Sequence, residues 1–353
     1  MYLNEFKKAV RFIPMWGCLV FCFFFNLILT FNVVGVDEFN DFSSSLVEGT
    51  ATVKTESVFS SYDVDRELTS RYTDIVSGSP MAVNMLRGKY AGVQSHVDHL
   101  ALEGADSDVM AGIYTPLMYK ELFKSFLPAL TAEACVMGML LTIHLLSYET
   151  STKTYLFMSC TRVGRKIDIC KIMTALISSL IFYVVLGGTS LLIYFSHWNY
   201  SGIWDSSMSS VFNQISDLGI LKPFITMGDF TVRSYVLFTM LLGTVLVIVS
   251  VLFASVIGLI VKKTYVAGIL SLLIPASGLF LSVILSSAEM WGGYLISMLL
   301  PINIWVSQPV WFTEGGLSSP CLWFETKGLI GALVAFTLLM ACTVKTMHRR
   351  DIA

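Results

Sequence analysis

The sequence predicts an all-α polytopic membrane protein with six transmembrane helices and both termini in the cytoplasm. Three observations carry that reading. Only 14% of the 353 residues are charged and 55% are hydrophobic, with a mean hydropathy of +0.70, whereas a soluble domain is about a quarter charged. Six apolar stretches reach or approach the ~20 residues that cross a hydrocarbon core. The basic residues gather in short segments that fall on one side when those stretches alternate, as the positive-inside rule requires. The net charge of -2 hides this segregation, and no patch of nucleic-acid type appears, so no nucleic-acid partner is expected.

Residues 1–36 hold a basic N-terminus, with Lys7, Lys8 and Arg11, and a first span over Phe12–Val36. That run is too long for a secretory signal, and no small-residue cleavage site follows it. Residues 37–125 are the one soluble-looking region, with fourteen Asp and Glu against seven Lys and Arg, and are read as a small extracytoplasmic domain. Alternation around Ala51–Phe59 predicts a strand, and Pro80 to about Leu102 predicts a helix. Pro116 is placed to open a helix over Leu117–Phe126 that runs into the second span. His96, Asp98 and His99 lie close together, but no further ligand at metal spacing accompanies them. They are read as a solvated polar face, and no metal is expected.

Residues 126–353 form a five-span unit. Its first span, Phe126–Tyr148, carries Glu133 about two turns in. An ionisable group at that depth faces a pathway or an interface, or else snorkels to the outer headgroups. The segment 149–171 is short and net positive, hence cytoplasmic. Ile172–Ser196 returns outward, with Gly187 and Gly188 permitting close helix contact. Spacing over Met208–Leu218 predicts an amphipathic helix lying in the outer interface. Ser234–Val261 and Thr264–Ala288 follow, joined at Lys262 and Lys263. Met290–Thr313 is long enough to cross, but Pro301, Asn303, Gln308 and Pro309 interrupt it. A seventh crossing would also put Lys345, Arg349 and Arg350 outside. It is therefore read as a broken re-entrant helical pair between spans 5 and 6, with Gly328–Val344 as the last span. Cysteines are scattered without a framework, as small apolar packers.

Segment 149–171 is the most informative. Glu149 is followed by Ser151-Thr152, Leu156-Phe157-Met158, TRVGR over Thr161–Arg165, and Lys171 opening the third span. With the broken segment before span 6 and HRRDIA after it, this order resembles the ABC-2 type permease family, the membrane subunits of a class of ABC exporters. The sequence departs from the family pattern in lacking its proline, where Arg162 stands nearby, and in Gly164 replacing the usual serine. The resemblance implies that 149–171 is a cytoplasmic coupling elbow docking on a separate ATPase. Glu149, Thr152, Lys153, Leu156, Phe157, Met158, Arg162, Arg165 and Lys171 are its residues. Physically, a short helix with apolar anchors and flanking charges suits a groove in a partner. A basic anchor on anionic lipid explains the charges but not Leu156–Met158.

No phosphate loop of the form GxxxxGK[ST] is present, so no catalytic residue is assigned and ATP and Mg are expected in the partner subunit. The resemblance further implies a second permease chain, identical or paralogous, with Glu133, Pro301 and Asn303 as candidate pathway or interface residues. The location it implies is the cytoplasmic membrane of a prokaryote. The cargo expected is a peptide, lipid or other amphipathic compound. The competing expectation is a membrane sensor or immunity protein whose outer domain binds a ligand without transport.

Overall fold

The computed structural model describes residues 2–49, 58–105, 117–152, 154, 167–211, 215–217, 220–261 and 263–350. Six helices are long and apolar enough to cross a membrane, so the chain is a multi-pass helical membrane protein. They are α2 (Ile13–Phe31), α7 (Tyr119–Ser151), α8 (Ile167–His197), α10 (Val232–Ile260), α11 (Thr264–Ser287) and α14 (Phe324–Thr346). A short helix, α1 (Tyr2–Val10), precedes them. Between α2 and α7 lie α3 (Val36–Val47), α4 (Ser70–Ile75), α5 (Pro80–Tyr90) and α6 (Val93–Leu102).

The bundle is centred on α7, 67% of whose most apolar stretch is buried. It packs against α8 and α10, and α10 also holds α14. Small residues set these approaches. A Cβ on Gly243 would stand 2.5 Å from the Tyr183 hydroxyl, and one on Gly138 would meet Val251 and Ser179. Of the glycine pair singled out in the sequence, Gly187 packs on Met240 and Leu130, whereas Gly188 has open space. In contrast, α11 and α14 bury only 11% of their apolar stretches within the chain. Their apolar surfaces are left for lipid or for another protein.

The six crossings sort the remaining elements into two ends. At one end α1 packs on α8 and α7, near the Ser151–Thr264 contact. At the other end, the described elements between α2 and α7, between α8 and α10, and between α11 and α14 come together. The helix predicted over Pro80–Leu102 is two helices, broken at Ala91-Gly92. Pro80 opens the first at N1, and the Ser79 hydroxyl caps it by accepting from the Ala82 amide. The helix expected after Pro116 is present as a π-turn, Tyr119–Phe126, continuous with α7. The strand expected at Ala51–Phe59 lies outside the described residues except for Val58 and Phe59, which cap and open a 3-10 turn.

The amphipathic helix expected over Met208–Leu218 is corrected. Helix α9 spans Met208–Val211, and an antiparallel hairpin follows, β1 (Ile215–Asp217) on β2 (Ile220–Lys222). The helical spacing is overridden by strand pairing: Ile215 stands opposite Lys222 and Asp217 opposite Ile220, so the second half of the expected helix is extended.

The core of α4–α6 is not self-contained. Leu68, Tyr72, Leu86, Val97 and Leu100 are joined in one cluster by Ile225, Met227, Leu295 and Leu317 from beyond α8 and α11. A second core links the bundle to an aromatic stack of Phe39, Tyr194, Trp198 and Tyr200. There α3 docks on the 198–206 loop so closely that a Cβ on Gly202 would stand 2.3 Å from the Ser43 carbonyl oxygen.

Between α11 and α14 the expected interruption is present. Helix α12 (Trp291–Ser297) stops, and Pro301 opens α13 (Pro301–Val306) at N1. Two 3-10 turns follow. This segment is anchored on α7: Trp305 Nε1 donates to the Pro128 carbonyl (2.9 Å) and Gln308 Nε2 to the Thr131 hydroxyl (3.2 Å).

Candidate functional site

Glu149 is the residue around which the first candidate site is built. It lies on the last turn of α7, 3% exposed. Its carboxylate accepts from Lys171 Nζ at the start of α8, and from Lys8 Nζ at 2.7 Å. Lys8 Nζ also donates to Glu5 at 2.6 Å. Two carboxylates and two ammoniums thus tie the ends of α7 and α8, the two roots of the 149–171 elbow, to α1. Burial alone would lower the pKa of Lys8, but its hydrogen bonds to Glu149 and Glu5 outweigh that and raise it. A buried pair of this kind is weak evidence of net stability, yet removing one partner is costly because the other stays buried and charged.

The structure therefore brings Glu149 and Lys171 together and adds Lys8, read from the sequence only as part of a basic N-terminus, and Glu5. A periodicity test on Tyr2–Val10 would have found the helix that carries them. Thr152 is not in the cluster; its hydroxyl bonds the Tyr148 carbonyl at the exposed end of α7. Lys153, Leu156, Phe157, Met158, Arg162 and Arg165 lie outside the described residues.

The candidate pathway residues divide between two faces of α7. Glu133 faces α2, where Asn26 Nδ2 donates to its carboxylate at 2.8 Å and reaches Ser190 of α8 at 3.4 Å. A polar contact thus joins three spans at membrane depth, where few alternatives to a protein partner exist. Pro301 and Asn303 lie on α13, and Pro301 faces the side of α7 that carries Ala132, Cys135, Val136 and Met139. Asn303 is 2% exposed and staples the break between α12 and α13, donating to the Ser297 carbonyl at 2.7 Å. Pro301 lines an apolar cavity of about 340 Å³ with Val136, Phe253, Pro275 and Trp305.

A second charged centre lies at the far end, and the sequence reading missed it. Glu314 is 2% exposed and pairs with Lys222 of β2 and, at 3.7 Å, with Lys89 of α5. Tyr90 donates to the same carboxylate at 3.1 Å, and the Gly316 amide at 2.8 Å. Burial pushes the Glu314 pKa up, but the two ammoniums and these donors pull it down to about 2. Local backbone explains how Glu314 turns inward. Phe312 sits at φ 59°, rare for a bulky residue, and Gly315 and Gly316 continue at φ 65° and 56°. The bonds Met227 N–Phe312 O and Glu314 N–Ile225 O hold that turn in place. The available signal was a lone charge in each of two apolar runs, Lys222 in ILKPF and Glu314 in WFTEGG.

Of the group read as a polar face, His99 is exposed, with its ring nitrogens 3.6 Å from Asp229 and 3.8 Å from Glu103. The ligand atoms of these three exposed residues lie within 4.8 Å of one another. Each ring nitrogen faces a carboxylate, and the His96 ring stacks on that of His99. Asp98 instead accepts from Gln94. Beside it, Tyr62, Asp63, Asp74, Tyr90 and Gln94 line a polar cavity of about 970 Å³ among α4–α6. Comparison with protein-family models, with curated proteins and with solved structures finds no match.

Proposed function

We propose that this chain is the permease subunit of an ATP-driven exporter in the cytoplasmic membrane of a prokaryote. It works as a dimer and couples through residues 149–171 to a separate ATPase that binds ATP and Mg. The observation that carries this reading is the Lys8–Glu149–Lys171 cluster. An elbow pushed by a partner can only do work on the bundle if its roots move as one piece. The buried ion pairs clamp α7 to α8 at those roots and brace them with α1. In this reading the α1 end is cytoplasmic, α3–α6 are extracytoplasmic, and α12–α13 dip into the outer leaflet as a re-entrant pair. The apolar faces of α11 and α14 are available to the second chain, and the cargo is a peptide, a lipid or another amphipathic compound.

A second reading is favoured by one observation, the polar cavity at the outer end. It is walled by elements that the Lys89–Glu314–Lys222 centre joins to the segment anchored on α7. A ligand bound there would act on the bundle without transport, as in a membrane sensor or immunity protein. Co-expression with candidate ATPase subunits, followed by purification in mild detergent, separates the two. An ATPase that co-elutes and is lost on changing Leu156, Phe157 and Met158 to Asp supports the exporter. A chain that never retains an ATPase supports the sensor.

A further inference from the structure

At the α1 end the charges do not all cancel. Glu5 and Glu149 are balanced by Lys8 and Lys171. Lys7 and Arg11 are left over, both exposed, and among the described residues neither has a carboxylate partner. They also share a face: the Arg11 amide donates to the Lys7 carbonyl at 3.0 Å, so the helical turn continues and the two sit at i,i+4. Two like charges so placed repel each other by a few tenths of a kcal/mol in an isolated helix. An anion between them reverses the sign.

The space for one is present. Asn4, Lys7, Lys8 and Arg11 line a cavity of about 570 Å³ whose other wall is Phe12, His144 and Tyr148. Phe12 stacks on His144 at 3.8 Å, and Lys8 lies 4.8 Å over the Tyr148 ring, so the walls are held in place. The position is that of lipid headgroups. Helix α1 buries Glu5 and Ala9 while exposing Tyr2, Leu3, Phe6 and Val10, the layout of a helix lying in the interface. Trp16, one turn into the first span, is exposed and donates to the Val10 carbonyl at 2.7 Å, as an interfacial tryptophan does. Below the cavity, Ile13, Val20 and Phe21 are exposed along α2 and offer a track for acyl chains.

We infer that this cavity is a binding site for the phosphate of an anionic glycerophospholipid, held between Lys7 and Arg11. Basic pockets between membrane helices bind such headgroups, and the guanidinium of Arg11 suits a phosphate bidentately. The inference rests on the membrane-spanning fold alone and is independent of the exporter reading.

The chain carries its own reporter. Of its seven tryptophans, only Trp16 lies at this end. The protein is reconstituted in nanodiscs containing brominated phosphatidylglycerol or brominated phosphatidylcholine. Trp16 quenching is obtained as the difference from a Trp16→Phe protein. The expected result is quenching at a lower mole fraction of phosphatidylglycerol. Lys7→Gln with Arg11→Gln should weaken that preference roughly tenfold or more. Lys263→Gln with Lys345→Gln removes the same charge from exposed sites at the same end and should leave it intact. Both altered side chains are exposed, so the first pair is expected to fold. If it does not, each single variant must weaken the preference while Lys263→Gln does not. No preference in the wild type, or equal loss in both pairs, overturns the site in favour of diffuse surface charge. Loss of the preference in millimolar glycerol phosphate overturns the lipid assignment in favour of a free phosphate.

Discussion

Glu314 and Glu149 do similar work at opposite ends of the molecule, and each is best judged by what its removal strands. Glu314→Gln keeps the shape of the site but removes the carboxylate charge that Lys89 and Lys222 share at this buried centre. A loss of about 3–5 kcal/mol follows from that imbalance, to be read as a lower thermal midpoint in detergent. The same residue sets a pH dependence. Its folded pKa of about 2 lies below the ordinary carboxylate value of about 4.3. Its contribution is therefore complete above that ordinary value and is lost as pH falls toward the folded one. The wild-type midpoint should fall on acidification from about pH 5 to pH 3, and Glu314→Gln should remove that part of the slope. An unchanged slope would mean another carboxylate is responsible. At the other end, Glu149→Gln leaves Lys171 without its counter-charge among the described residues, beside an amide oxygen and the Leu146 carbonyl at 3.5 Å. The expected outcome is a comparable destabilisation, partly relieved by adding Lys171→Met, since an apolar pair tolerates burial better than a lone ammonium.

At the scale of elements, close approach decides the end that carries α3–α6. Gly202→Ala places a methyl against the Ser43 carbonyl, and backbone yields less readily than a side chain. Helix α3 should lift from the 198–206 loop, seen as faster proteolytic cleavage there with α10 and α14 unaffected. How far these elements were legible in sequence depended on the range of the forces involved. The six spans were visible because twenty apolar residues in a row have one physical solution in a bilayer. The break at Pro301 was visible because proline fixes its own backbone and opens a helix at N1. Met208–Leu218 read as a helix, and the pairing of Ile215–Asp217 with Ile220–Lys222 overrode that pattern. Of the two charged centres, Glu149 and Lys171 were marked by position beside the spans. Glu314, Lys222 and Lys89 were not, because their partners lie 92 and 225 residues apart in sequence and no local period connects them.

For the whole molecule, orientation is the first consequence to check. On the proposed reading the α1 end is inside, where the basic residues gather. Ser61→Cys, on the exposed surface near α4, should react with an impermeant maleimide in intact cells. Lys263→Cys, between α10 and α11, should react only after permeabilisation. The reverse pattern would invert the molecule and place the elbow outside, beyond the reach of any cytosolic ATPase. With orientation fixed, the fold divides its labour. The clamp at the roots of 149–171 is built from charge, the end that carries α3–α6 is locked by a second charged centre and by aromatic packing, and α11 and α14 keep apolar faces uncovered within the chain. The measurement that tests the central claim most directly is co-purification with a candidate ATPase, with ATP hydrolysis measured on the eluate. Wild type is compared with the variant carrying Asp at Leu156, Phe157 and Met158. The account predicts an ATPase held by the wild type and lost from the variant, which still purifies as a folded chain. An ATPase retained equally by both, or by neither, contradicts it.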